Sequence, residues 1–212
     1  MKGKIICIGF HKTGTSSLTD ALAKLGYSFR SNTNSALISI LKGDFSRVLR
    51  RTRGYDALEG FPWFMIYKEL DQRIPGSKFI LTIRENESWY KSVADHIGDI
   101  RSPPHEWMYG RGKGIPSDDK AHTLSVYNAH NESVTKYFKD RPDDLLILDL
   151  YADDKWQQIC KFLGHEVPNE DYPHSNRASD KQPFSFQSRF KRLRRKIKNY
   201  LILKFIDIKG YW

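Results

Sequence analysis

Residues 5–18 constrain this chain more than any other segment. The apolar run Ile5-Ile6-Cys7-Ile8 stops at Gly9, and the sequence continues Phe10-His-Lys-Thr-Gly-Thr-Ser-Ser-Leu18. A buried strand that breaks at a glycine and re-enters as a helix leaves consecutive amides pointing at one place, and that place suits an anion. Thr15, Ser16 and Ser17 would open the helix, adding hydroxyls to its unpaired amides, and Lys12 brings positive charge into the loop. The spacing comes close to a nucleoside-triphosphate loop without being one. That loop requires Lys and then Ser or Thr directly after its second glycine. Here Thr15 takes the lysine position and the lysine stands mid-loop.

Strand and helix signals alternate after that point. Leu18, Ala21, Leu22 and Leu25 repeat at helical spacing up to Gly26, and a second helix is expected over 34–51. A short strand over 55–59 would end at Gly60, with Pro62 opening the next helix. Residues 78–83 read as a buried strand, 87–97 as a helix, 102–117 as a polar loop and 118–140 as a long helix. The segment 145–148 reads as a central strand, and 155–163 as a helix stopped by Gly164. Apolar strands separated by helices predict an α/β three-layer sandwich around a central parallel sheet. Ligands of such sheets bind beyond the carboxyl ends of the strands. That edge carries the loop after Ile8, Glu59 and Arg84. Ser92, two helical turns after Arg84, could join its guanidinium on a second phosphate group.

The charge has an uneven address. Of the net +10, residues 181–212 supply +9 from ten Lys and Arg against the single acid Asp207, which leaves residues 1–180 nearly neutral. A domain over 1–180 and a basic tail over 181–212 are therefore expected. Phe190, Leu193, Ile197 and Leu201 fall near one helical face, with Lys191, Arg192, Arg195 and Lys198 away from it. Residues 189–205 thus suit peripheral contact with an anionic membrane, or packing of the apolar face on the domain. Nucleic acid is not expected as a partner, because no aromatic residues are interleaved with base-reaching side chains. Cys7 and Cys160, the only cysteines, read as core thiols of a cytoplasmic protein. No secretory signal or membrane-spanning run is apparent. His11, His96, His122 and His130 lack metal-ligand spacing, so no metal is expected.

Taken together, the loop at 9–18, the segment Phe79–Arg84 and Trp89-Tyr-Lys-Ser92 resemble the sulfotransferases that use 3′-phosphoadenosine 5′-phosphosulfate (PAPS). Tyr127-Asn-Ala-His-Asn131, Val134, Lys161-Phe-Leu-Gly164, Val167-Pro168 and His174-Ser-Asn176 are similar to a bacterial and fungal branch of that family. The resemblance covers about residues 4–177. It implies that His11, Lys12, Thr13, Gly14, Thr15, Ser16 and Ser17 form a P-loop-like cradle for the 5′-phosphosulfate. It further implies that Arg84 and Ser92 bind the 3′-phosphate, that Arg177 lies near the adenine, and that Lys12 and Glu59 are catalytic, Glu59 as the base for an acceptor hydroxyl. The branch more often has Asp at the Glu59 position. The acceptor is open: the basic loop Gly110–Pro116 would favour an acidic sugar or lipid headgroup, and Trp63, Phe64 and Trp107 could line an apolar pocket. Two other functions fit parts of the chain. One is a nucleotide kinase or NTPase with an atypical loop, the other a non-catalytic anion-binding module.

Overall fold

Side chains along the central strands point alternately to two different cores. In the computed structural model, which describes residues 2–175 and 186–211, Ile5 and Cys7 of β1 (Ile5–Cys7) face one layer while Ile6 faces the other. β4 (Lys78–Ile83) behaves the same way, with Ile80 on the first side and Phe79 and Leu81 on the second. Burial on both faces is what makes these segments nearly continuous apolar runs. With β2 (Phe29–Arg30), β3 (Ala57–Leu58) and β5 (Leu145–Asp149) they form one parallel sheet in the order β2-β3-β1-β4-β5.

One face is covered by α1 (Thr15–Lys24) through Leu18 and Leu22, and by α8 (Lys155–Leu163) through Ile159. The opposite face receives the larger core. Its contributors include α3 (Phe45–Arg50), α4 (Tyr67–Arg73), α5 (Asn86–Ile97), α6 (Pro103–Tyr109) and α7 (Lys120–Phe138). The expected three-layer α/β sandwich is therefore the fold. From β1 the chain runs toward one edge of the sheet and from β4 toward the other, so their carboxyl ends flank a crevice.

Three segments depart from the sequence expectation. The helix expected over 34–51 is broken into a 3-10 turn over Asn34–Ala36, α2 (Leu37–Leu41) and α3. The break follows from Asp44, whose carboxylate caps α3 by accepting from the Arg47 amide at 3.0 Å. The polar stretch 102–117 contains α6, which Ser102 caps through the His105 amide and which has Pro103 in its first turn. The two-residue β2 is too short to leave a periodic signature.

The tail forms α9 (Phe186–Ile208), although the side chains of 186–193 and 195 lie outside what is described. Ile202, Leu203 and Ile206 turn apolar surface toward the domain, and the helix lies against α6. Arg111 also pairs with Asp207 at 3.0 Å. The docked face is thus not the one carrying Ile197 and Leu201.

The turn after β1 is set by a close approach. A Cβ on Gly9 would sit 1.9 Å from Thr82 Oγ1. Gly9→Ala should consequently destabilise the fold by about 1–3 kcal/mol, the cost of overpacking a rigid site. Urea denaturation measures this, and an unchanged midpoint would mean that Thr82 moves aside.

Candidate active site

The loop between β1 and α1 hangs from a buried base. Phe10 is packed among Phe64, Trp89, Tyr109, Tyr127 and His130, with ring centroids 5.0 to 6.2 Å away. The Thr13 hydroxyl donates to the Phe10 carbonyl at 2.6 Å and accepts from Thr82 at 2.6 Å. The Trp89 indole N–H donates to the His11 carbonyl at 2.8 Å, and His130 Nε2 donates to the Ile8 carbonyl at 2.8 Å. These bonds hold the backbone in an unusual shape, with φ of 68° at Lys12 and 90° at Gly14. A side chain at Gly14 would be strained by that φ and would also strike Leu150. Gly14 gives α1 no side-chain cap, so the first amides of that ten-residue helix are directed at whatever lies before it.

What lies there is a pocket of about 1060 Å³ lined by His11, Lys12, Gly14, Thr15, Ser16, Ser17, Glu59, Arg84 and Ser92. The structure thus brings together every expected site residue except two. Thr13 is fully buried, and its hydroxyl shapes the loop instead of facing the pocket. Arg177 lies outside the described residues, so the adenine expectation has no structural counterpart here. Ser17 has a second task, since its hydroxyl accepts from the Ser175 amide at 3.0 Å and ties the end of the domain to α1.

Arg84 is held from three sides. Its amide donates to the Tyr127 hydroxyl at 2.9 Å, and that hydroxyl donates to the Arg84 carbonyl at 2.8 Å. Its Nε donates to Ser88 Oγ at 2.9 Å, and one terminal nitrogen donates to the Lys12 carbonyl at 3.3 Å. Ser88 Oγ in turn lies 2.7 Å from the Tyr151 hydroxyl, and the Arg84 guanidinium sits 5.9 Å from the centre of that ring. A guanidinium fixed this way directs its remaining donors into the pocket without losing rotamer freedom on binding.

Glu59 follows β3 and is 9% exposed. Burial raises its carboxyl pKa, an effect opposed by the hydrogen bond from Thr15. Asn32 orients the segment beyond it, accepting from the Phe61 amide at 2.8 Å. His11 stays neutral, because burial and then the neighbouring His105 and Lys12 lower its pKa well below the ordinary range. Its Nε2 lies 2.6 Å from the Tyr109 hydroxyl.

The far wall is mostly apolar, formed by Phe61, Phe64, Ile97, Ile100 and Met108 beside His96 and His105. Of the three aromatics expected there, only Phe64 lines the pocket. Trp63 is wholly buried, and Trp107 packs edge-on against Phe61 at 5.7 Å. Nor does the basic loop Gly110–Pro116 reach the site. Gly112 donates its amide to the buried Glu106, and Lys113 pairs with Asp119 at 3.2 Å. Sequence reading missed Ser88, Tyr151 and His105. Ser88 sits one turn after Arg84 and was legible by spacing, whereas Tyr151 and His105 lie where no periodicity points. Among the described residues no cluster of His, Cys, Asp and Glu could hold a metal ion.

Comparison with known proteins gives a family and a fold. A family model described as a sulfotransferase domain matches residues 4–181. A curated protein of Aspergillus versicolor, Ava biosynthesis cluster protein M, is 26% identical over 208 residues, covering 81% of this chain and 80% of its own length. Among solved structures, a sulfotransferase from Alicyclobacillus acidocaldarius superposes with a TM-score of 0.55 at 15% identity, covering 94% of this chain and 93% of its own. Deoxyadenosine kinase from M. mycoides reaches a TM-score of 0.45 at 11% identity, over 76% and 99% of the respective chains.

A carboxyl group with a raised pKa binds its proton more tightly in the folded chain than in the unfolded one. Its contribution to stability is full below the ordinary value of 4.5 and is lost as pH rises through the folded value. Glu59→Gln should therefore melt at a higher temperature than the native chain at pH 7, with the gap closing toward pH 4.5. Melting curves across that range test it; equal melting temperatures at pH 7 would mean the carboxylate is fully compensated where it sits.

Proposed function

This chain is a member of the sulfotransferase family, and we propose that it moves a sulfuryl group from PAPS to a hydroxyl on an acceptor. The observation that carries this reading is the convergence of two anion-binding elements on one pocket. The uncapped start of α1 with Lys12 forms one, and the anchored Arg84 forms the other. A donor with phosphate groups at both ends of a nucleoside needs two such elements. The residues fit that need: the amides of 14–16 and the Ser16 hydroxyl would hold the 5′ end, and Arg84 with Ser92 the 3′-phosphate.

The donor supplies a sulfuryl group already activated as a mixed anhydride with phosphate. Lys12 would place its ammonium where negative charge grows on the phosphate oxygen as that anhydride bond breaks. Glu59 would accept the hydroxyl proton of the acceptor as the new oxygen–sulfur bond forms. Burial suits it to this task, since a carboxylate with a raised pKa is a stronger base. The hydrogen bond from Thr15 keeps this base beside the anion loop. The apolar wall supports an acceptor whose body is aliphatic or aromatic, with the hydroxyl presented toward Glu59.

Thermal unfolding with 3′,5′-adenosine bisphosphate tests the donor site. At a hundredfold excess over its dissociation constant, a ligand stabilises by about 2.7 kcal/mol. For a chain of this length that is a rise of roughly 5–10 °C in Tm. The shift should occur without magnesium and should be lost in Lys12→Ala and in Arg84→Ala. Response only to ATP with magnesium would reverse the reading in favour of a nucleotide kinase.

A second measurement separates base from binding. Glu59→Ala should keep the bisphosphate shift while sulfuryl transfer falls about a hundred- to ten-thousand-fold. Normal transfer by that variant would remove Glu59 from the role of base.

A further inference from the structure

Helix α9 has two apolar faces, and the domain covers only one of them. Leu203 and Ile206 are 9% and 0% exposed. At 3.6 residues per turn, Ile197, Leu201 and Ile208 fall on the opposite side, where they are 53%, 59% and 72% exposed. The stripe they make runs about 16 Å along the helix. A helix that needed only to dock on the domain would carry polar residues there. Arg194, Lys196, Lys198, Lys204 and Lys209 are exposed around this stripe. In the same described portion the sole acid is Asp207, which is engaged with Arg111.

From this arrangement we infer that the outer face of α9 docks the protein on a membrane surface rich in anionic lipid. The apolar stripe matches the acyl boundary, and the surrounding cations match the headgroup charge. A second copy of the chain is the poorer occupant, because pairing the two stripes would bring ten cations together. No helix among the described residues is long and apolar enough to cross a membrane, so the contact is peripheral. The geometry also ties the contact to the pocket. Asn199, on the inner side of the same helix, lines it and donates to the Arg101 carbonyl at 3.0 Å. With a helix only about 10 Å across, docking holds that part of the pocket wall near the lipid surface. Where the function proposed above holds, the acceptor hydroxyl would be taken from a molecule resident in or on the bilayer.

Sedimentation of the full chain with equimolar phosphatidylserine–phosphatidylcholine vesicles, against phosphatidylcholine alone, tests the inference with no reference to catalysis. Binding should require the anionic lipid and weaken with added salt. Lys198→Glu should weaken it at least about fivefold, the effect expected of one cation near a charged surface. The triple variant Ile197→Ser, Leu201→Ser, Ile208→Ser should lose at least tenfold in binding. Its Tm and bisphosphate response should be those of the native chain, because these side chains face away from the domain. Failure of the native chain to sediment, or sedimentation indifferent to lipid charge, would overturn the inference. So would a dimer in analytical ultracentrifugation that the triple variant abolishes, since the stripe would then be covered by a second copy. A missing bisphosphate shift alongside normal vesicle binding would count against the donor site alone.

Discussion

The contact between the end of β1 and Thr82 on β4 is the constraint from which the site follows. It leaves no room for a side chain at residue 9, and it forces the chain to leave the sheet there. The same threonine donates to Thr13, whose hydroxyl then closes the loop onto the Phe10 carbonyl. Phe10 is driven into the larger core by the loop's own geometry, and the aromatic rings around it fix the position of His11 and Lys12. The polar groups the loop offers to the pocket are therefore positioned largely by bonds and rings buried behind it. Preorganisation of this kind lets donors act at full strength without reorganising on binding.

Arg84 shows the same logic from the other side of the crevice. It stands at the end of β4, yet its guanidinium is aligned through Ser88 and Tyr151, and its backbone through Tyr127 on α7. Trp89 and Tyr127 stack at 4.1 Å, which links the helix after Arg84 to the helix that pins it. The family match and the 0.55 TM-score at 15% identity place this architecture among the sulfotransferases. At that level of identity, what is shared is the backbone that makes the crevice.

Much of this was legible in the residues. Residues 5–18 announced the loop because strand, glycines, lysine and hydroxyls occur together and in order. Lys78–Ile83 and its Arg84 were legible because a doubly buried strand is a nearly continuous apolar run. What failed did so for identifiable reasons. The helix α6 hides behind two prolines and a polar flank, although Ser102 and Pro103 are a recognisable start. The loop 110–116 looked available because its cations were visible and its partners, Glu106 and Asp119, were not. Trp63 looked like a pocket aromatic, but side-chain direction in a 3-10 turn cannot be read from spacing. Which of the two uses of α9's outward face applied could not be read from the residues, because an amphipathic pattern specifies an apolar side without saying which of two such sides meets the protein.

The pocket is assembled from two sets of elements with little overlap. Its polar half comes from the turns after β1, β3, β4 and β5, from the start of α1 and from Ser92 midway along α5. Its apolar half draws on the end of α5 and on α6 beside the segment after Glu59, and α9 adds Asn199. Substitutions at Met108 on α6 or at Asn199 on α9 can thus reshape that half while the loop and Arg84 keep their supports. A lineage built on this scaffold could remodel the apolar half by ordinary drift, without passing through an ancestor that had lost the loop after β1.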